Sequence, residues 1–109
     1  MPDAKAERRG AARYPLALAA DVVEISSGSR MTARTSDISA TGCYLDTLSP
    51  VAKGSQVHLR ITHHDELLEV TGLVVYVSPG LGMGVAFDGV SPEQQERLNR
   101  WLEAKNSRP

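Results

Sequence analysis

The chain has 109 residues, enough for one domain with a small core. Its 41% hydrophobic and 23% charged content is globular, and 12 Lys+Arg against 13 Asp+Glu leave a net charge of −1, which argues against a general polyanion binder. One cysteine rules out an internal disulfide framework, and no apolar run approaches the roughly 20 residues that cross a bilayer. With no hydrophobic leader at the N-terminus, the expectation is a soluble, cytoplasmic, single-domain binding module rather than an enzyme.

Residues 1–15 are expected to form an exposed, flexible, Arg-rich arm. Lys5, Arg8, Arg9 and Arg13 face only Asp3 and Glu7 there, and little in the segment can be buried. Positive charge is therefore concentrated in a chain that is acidic elsewhere, as a local anion site requires. From Leu16 the pattern turns to strands. Leu16, Leu18, Ala20 and Val22 alternate, then the phase slips to Val23 and Ile25, which predicts a bulge or a change of sheet. Residues 26–29 read as a turn, and Met31 to Thr35 as a polar strand.

Cys43 and Leu45 alternate with Tyr44 and Asp46; Val57, Leu59 and Ile61 alternate with His58, Arg60 and Thr62. His63 to Glu66 fits a hairpin loop, Leu67 to Val77 a long strand, Ser78-Pro79-Gly80 a turn, and Met83, Val85 and Phe87 a last strand. Six short strands without intervening helices favour an antiparallel barrel or sandwich, and closure removes exposed edges. Ser91, Pro92 and Gln94 then mark a helix start, with Gln94 placed to complete a capping box. Leu98, Trp101 and Leu102 share one face of that helix. The expected plan is an arm (1–15), an all-β domain with a C-terminal helix at about 91–104 (16–104), and a frayed tail (105–109).

Two short patterns carry the candidate chemistry: Arg9-x-x-x-Arg13 with Arg8 before it, and Asp37-x-Ser39-x-x-Gly42 between two strands. Taken singly, a basic arm is a solvated segment and an Asp-x-Ser run before Gly is a turn. Together they are complementary. Guanidinium forks grip phosphate oxygens, match the O6/N7 edge of guanine and stack on its face. Asp37 only accepts, and the opposite edge of guanine only donates. Ser39 adds a further hydrogen-bonding group, and Gly42 permits a tight turn or close backbone approach.

Other residues are less informative. His63 and His64 are adjacent and point to opposite faces of an extended strand, so no metal site is expected. The Gly80-x-Gly82-x-Gly84 run leads into a strand rather than a helix, so it fits a turn and close strand packing, not a dinucleotide fold. Ser39 lacks an evident base for nucleophilic chemistry. Cys43 and Trp101 read as core residues. Tyr44 either stacks on a base or covers the barrel.

The two motifs in this order, followed by Gly82-Met83-Gly84-Val85-Ala86-Phe87 and the Ser91-Pro92-Glu93 helix entry, resemble the PilZ domain over nearly the whole chain. That resemblance implies a six-stranded antiparallel β-barrel with a C-terminal helix and no catalysis. The implied ligand is cyclic di-GMP, a bacterial second messenger. Arg9 and Arg13 would hold phosphates and guanine, Asp37 and Ser39 would hydrogen-bond guanine, and Gly42 would keep the loop compact. Arg8, just before the first motif arginine, is the kind of residue that in this family accompanies two intercalated ligands. The implied role is a stand-alone receptor that signals to a separate motility, polysaccharide or pilus protein, with neither nucleic-acid polymer binding nor membrane insertion. The alternative is a ligand-independent adaptor in pilus or motility machinery; such proteins usually lack the arginine motif.

Overall fold

Alternating apolar residues make strands here because each strand can bury one face only. The computed structural model describes residues 12–106. Chain order is β1 (Tyr14–Pro15), β2 (Ala19–Glu24), β3 (Arg30–Ile38), β4 (Gly42–Asp46), β5 (Gln56–His63), β6 (Glu66–Ser78), β7 (Gly82–Gly89) and the helix α1 (Pro92–Asn106). Strands β2–β3–β4–β7–β6–β5 pair antiparallel in that circular order, and β5 returns to β2. This is the expected six-stranded barrel with a C-terminal helix. The short β1 is an addition, paired with the end of β3 through Tyr14↔Ile38 and Pro15↔Asp37. The inward face is closed by Val22, Leu45, Leu59, Ile61, Leu68, Val74 and Met83, all at 1% exposure or less.

The phase slip expected at Val23 and Ile25 does not mark a bulge. β2 pairs in unbroken register with both β3 and β5, and Ile25 lies just past the strand, about half exposed at 48%. Its apolar side chain faces outward at a barrel end and does not change the strand's phase. The irregularities lie elsewhere: at Thr35/Asp37 between β3 and β4, and at Thr71/Gly72 and Val74/Tyr76 between β6 and β7.

The β5–β6 hairpin turns on His64 (φ 50°) and Asp65 (φ 67°), the two positive values that a two-residue hairpin with right-handed strand twist requires. At the helix start Ser91 Oγ accepts the Gln94 amide at 3.3 Å, as an N-cap does. Gln94 does not return the bond to close a capping box. Its Oε1 accepts the backbone N–H of Glu69 at 2.9 Å instead, tying the first helical turn to β6.

Leu98, Trp101 and Leu102 are buried against the barrel. The Trp101 indole donates to Glu66 Oε1 at 2.7 Å, and Arg97 Nη1 donates to the Leu67 carbonyl at 2.6 Å. The His63 ring meets Trp101 edge-on with centroids 5.1 Å apart, and His64 lies 4.1 Å from His63. Burial, then the neighbouring His64, hold His63 below its ordinary pKa against the opposing pull of Glu66. The indole hydrogen bond, helped by Arg100, holds Glu66 below the usual carboxylate range.

Both shifts have the same sign for stability. A histidine whose pKa is lower when folded contributes fully above its unfolded value near 6.5, and that contribution fades as pH falls below it. Glu66 adds a second loss at more acidic pH, below about 4.5. Thermal melts should therefore show a lower Tm at pH 5.5 than at pH 7.5. His63→Phe, which keeps a ring against Trp101, should shrink that difference. An equal difference in the variant would assign it to other groups.

Candidate functional site

The site begins with a change of phase in β3. Met31, Ala33 and Thr35 face inward, and an unbroken strand would turn Asp37 inward as well. The register shift between Thr35 and Asp37 places Ser36 as an extra residue against β4, after which Ile38 is the inward residue at 0% exposure. Asp37 is thereby turned outward at the barrel rim. Arg13, immediately before β1, meets it there: Nη2 donates to Asp37 Oδ1 at 2.7 Å, across 24 residues of sequence. The pair is accessible, with side chains 52% and 32% exposed. Among the described residues, Asp37 Oδ2 accepts no hydrogen bond.

The rest of the second motif forms the β3–β4 connection. Ser39 is buried at 3% exposure. Its amide donates to the Gly42 carbonyl at 2.8 Å, and its Oγ accepts the Thr41 amide at 3.2 Å and donates to the Gly42 carbonyl at 3.3 Å. The hydroxyl is thus engaged in the turn. Gly42 lies opposite Ala86 of β7, where a Cβ would stand less than 3.0 Å from the Val85 carbonyl oxygen. The glycine is required for close approach, as only a residue without Cβ fits. Arg8 and Arg9 lie outside the described residues.

Arg13, Ser39, Thr41, Gly42, Tyr76 and Ala86 border a concavity of about 120 Å³. Cys43 lies at its floor, inward-facing and 2% exposed. Burial, reinforced by the Asp37 charge and partly offset by Arg13, pushes its thiol up to about 12. It is an unreactive core group at neutral pH.

Tyr76 is the residue that sequence reasoning missed. It sits in the apolar run of β6, but the irregularity between Val74 and Tyr76 leaves it outward-facing and 45% exposed. Tyr44 and Tyr76 flank Gly84 of β7 and stack at 5.9 Å with a 28° interplanar angle. A Cβ on Gly84 would collide with the Tyr76 ring, so the glycine leaves room for the aromatic pair. Tyr44 therefore covers the barrel as half of a tyrosine pair beside the concavity. A hint in the sequence is that Tyr76 is the one aromatic residue in the otherwise aliphatic run from Leu73 to Val77. Among the described residues no group of three or more His, Cys, Asp and Glu side chains is placed to hold a metal ion.

A closed six-stranded barrel with a cation clasped to an acidic rim above a small concavity defines a ligand-binding β-barrel domain. The family model for the PilZ domain matches residues 7–104, and the chain belongs to that family, whose fold is a non-catalytic binding domain. Solved structures agree in fold. The PilZ domain of YcgR from Escherichia coli, determined with c-di-GMP, superposes with a TM-score of 0.75 at 16% identity, over 91% of this chain and 92% of that one. The PilZ domain of CeSA from a cellulose-synthesizing bacterium gives 0.67 at 17% identity, covering 84% and 95%. The Bacillus subtilis inhibitor of motility MotI/DgrA gives 0.73 at 18% identity; 93% of this chain matches 53% of that protein. A search of curated proteins by sequence found no match.

Proposed function

We propose that the chain is a receptor for cyclic di-GMP, binding it at the rim where Arg13 meets Asp37. The observation that carries this reading is the 2.7 Å contact itself, because it joins two motifs of complementary chemistry that are remote in sequence. Arg13 supplies a guanidinium fork for phosphate and for the guanine O6/N7 edge. Asp37 Oδ2 accepts from the N1–H and N2 amino group of guanine. The concavity is far smaller than a cyclic dinucleotide, so it takes a base edge while most of the ligand lies on the rim. The exposed Tyr76 face beside it offers a stacking surface. Ser39 and Gly42 act here by holding the loop in shape where it borders the concavity that takes the base edge.

Arg8 and Arg9 complete the cationic side from the segment preceding Arg13, and Arg8 admits a second ligand by offsetting the repulsion between two dianions. Binding orders the N-terminal arm over the barrel. The ligand's −2 charge then converts a cationic surface into a neutral or anionic one for a separate protein to read, in motility, polysaccharide or pilus machinery. Calorimetric titration with cyclic di-GMP tests the reading. The expected result is saturable binding at two ligands per chain. A ratio of one removes the Arg8 assignment, and no heat at high-micromolar ligand overturns the receptor reading altogether.

A further inference from the structure

The segment that carries Arg13 is attached to the barrel through an imperfect ladder. Ala19 pairs with Arg34, and Pro15 pairs with Asp37. Between these pairs the three residues 16–18 face only Thr35 and Ser36 of β3. One residue too many on one side means that the ladder cannot supply every backbone partner. The region is also buried, with Leu18 at 7% exposure and Thr35 at 0%, so an unmet amide or carbonyl there would be costly.

Thr35 resolves the mismatch with its side chain. Its Oγ1 donates to the Leu16 carbonyl at 2.5 Å and accepts the Leu18 amide at 2.9 Å, while its own amide donates to the Leu18 carbonyl at 2.9 Å. Only a hydroxyl does both jobs at one atom, since it is donor and acceptor together. A valine of the same shape leaves both backbone groups unpaired. Thr35 is also two residues before Asp37, at the point where β3 changes phase. The same side chain therefore fixes the linker leading back to Arg13 and abuts the bulge that turns Asp37 outward.

We propose that Thr35 is the positioning residue of the ligand site: it never touches ligand, and it sets Arg13 over Asp37 by locking residues 16–18 onto β3. This rests on the cyclic di-GMP reading above. The role belongs to the hydroxyl, not to the buried bulk of the side chain.

The test compares wild type, Thr35→Val and Thr35→Ser by calorimetric titration with cyclic di-GMP and by amide hydrogen exchange. In the wild type the Leu18 amide should exchange as slowly as the β2 ladder amides, although it lies outside any strand. Exchange at the rate of an open linker overturns the proposal without any variant having to fold. Thr35→Val should bind cyclic di-GMP about tenfold more weakly and expose the Leu18 amide, and Thr35→Ser should restore both. A folded Thr35→Val that binds as tightly as wild type overturns the positioning role alone. A wild type that binds no cyclic di-GMP overturns the nucleotide reading and this role together.

Discussion

Arg13→Ala and Asp37→Ala should each weaken cyclic di-GMP binding by roughly ten- to a hundredfold, the range expected for one bidentate contact to guanine. The same substitutions should barely change stability. The Arg13–Asp37 pair is 52% and 32% exposed, and an ion pair that open to water contributes at most about 1 kcal/mol. The contrast between the two readouts makes the prediction sharp. A turn residue whose side chain supports the fold would lower Tm and leave the affinity of the folded protein unchanged. A ligand-reading residue does the reverse. The double variant should lose less than the product of the single losses, because Arg13 and Asp37 touch one another and hold each other's geometry. Full additivity would mean that the contact seen between them has no part in recognition. Unchanged affinity in both single variants would remove the rim as the site.

Gly42→Ala is expected to have the largest structural effect of any single methyl group added at the site. The new Cβ would press on the Val85 carbonyl oxygen, a backbone atom within the β4–β7 ladder that has no rotamer through which to escape. Relief requires the two strands to part where the β3–β4 connection packs on β7. Overpacking of this kind costs about 1–3 kcal/mol. In a domain of this size that lowers Tm by roughly 5–20 °C. Parting the strands also disturbs the Ser39 turn and the Thr41 carbonyl, which accepts the Phe87 amide at 2.8 Å, so ligand affinity should fall as well. Gly28→Ala is the control: its glycine has positive φ but open space where the methyl would go, so any cost there is backbone strain alone. Equal melting of Gly42→Ala and wild type would refute the close approach.

Much of this architecture is legible in the chain. Strict alternation at Val57, Leu59 and Ile61, and again at Met83 and Val85, records one buried face per strand, and all five residues are buried. Ser91-Pro92 records a helix start because capping is local chemistry. The features that resist reading are those where the alternation breaks. Val23 and Ile25 look like a phase slip, yet they are apolar residues facing outward near a strand end. The true slip at Ser36 falls in a polar stretch, Arg34-Thr35-Ser36-Asp37, where no apolar residue reports which face is buried. Tyr76 is hidden for the opposite reason, lying among aliphatic residues that mask the irregularity between Val74 and Tyr76. Gln94 reads as half of a capping box because its true partner, the Glu69 amide, is 25 residues away. Two motif positions, Arg13 and Asp37, can be picked out by chemistry alone, but their meeting depends on a bulge that sequence does not mark.

The circular pairing of β2 through β7 has a bearing on how any other protein can recognise this one. Each of those six strands has a neighbour on both sides along part of its length; the stretches paired on one side only are short, such as Arg30–Ala33 of β3 and Val75–Ser78 of β6, and β1 is two residues long and half proline. Proline offers no N–H for a visiting strand to grip. Among the described residues, recruitment by lengthening the sheet therefore has only short borders to use, and a binding protein has to judge this domain chiefly by its side-chain relief and its electrostatic face, the very properties that a docked dianion would rewrite.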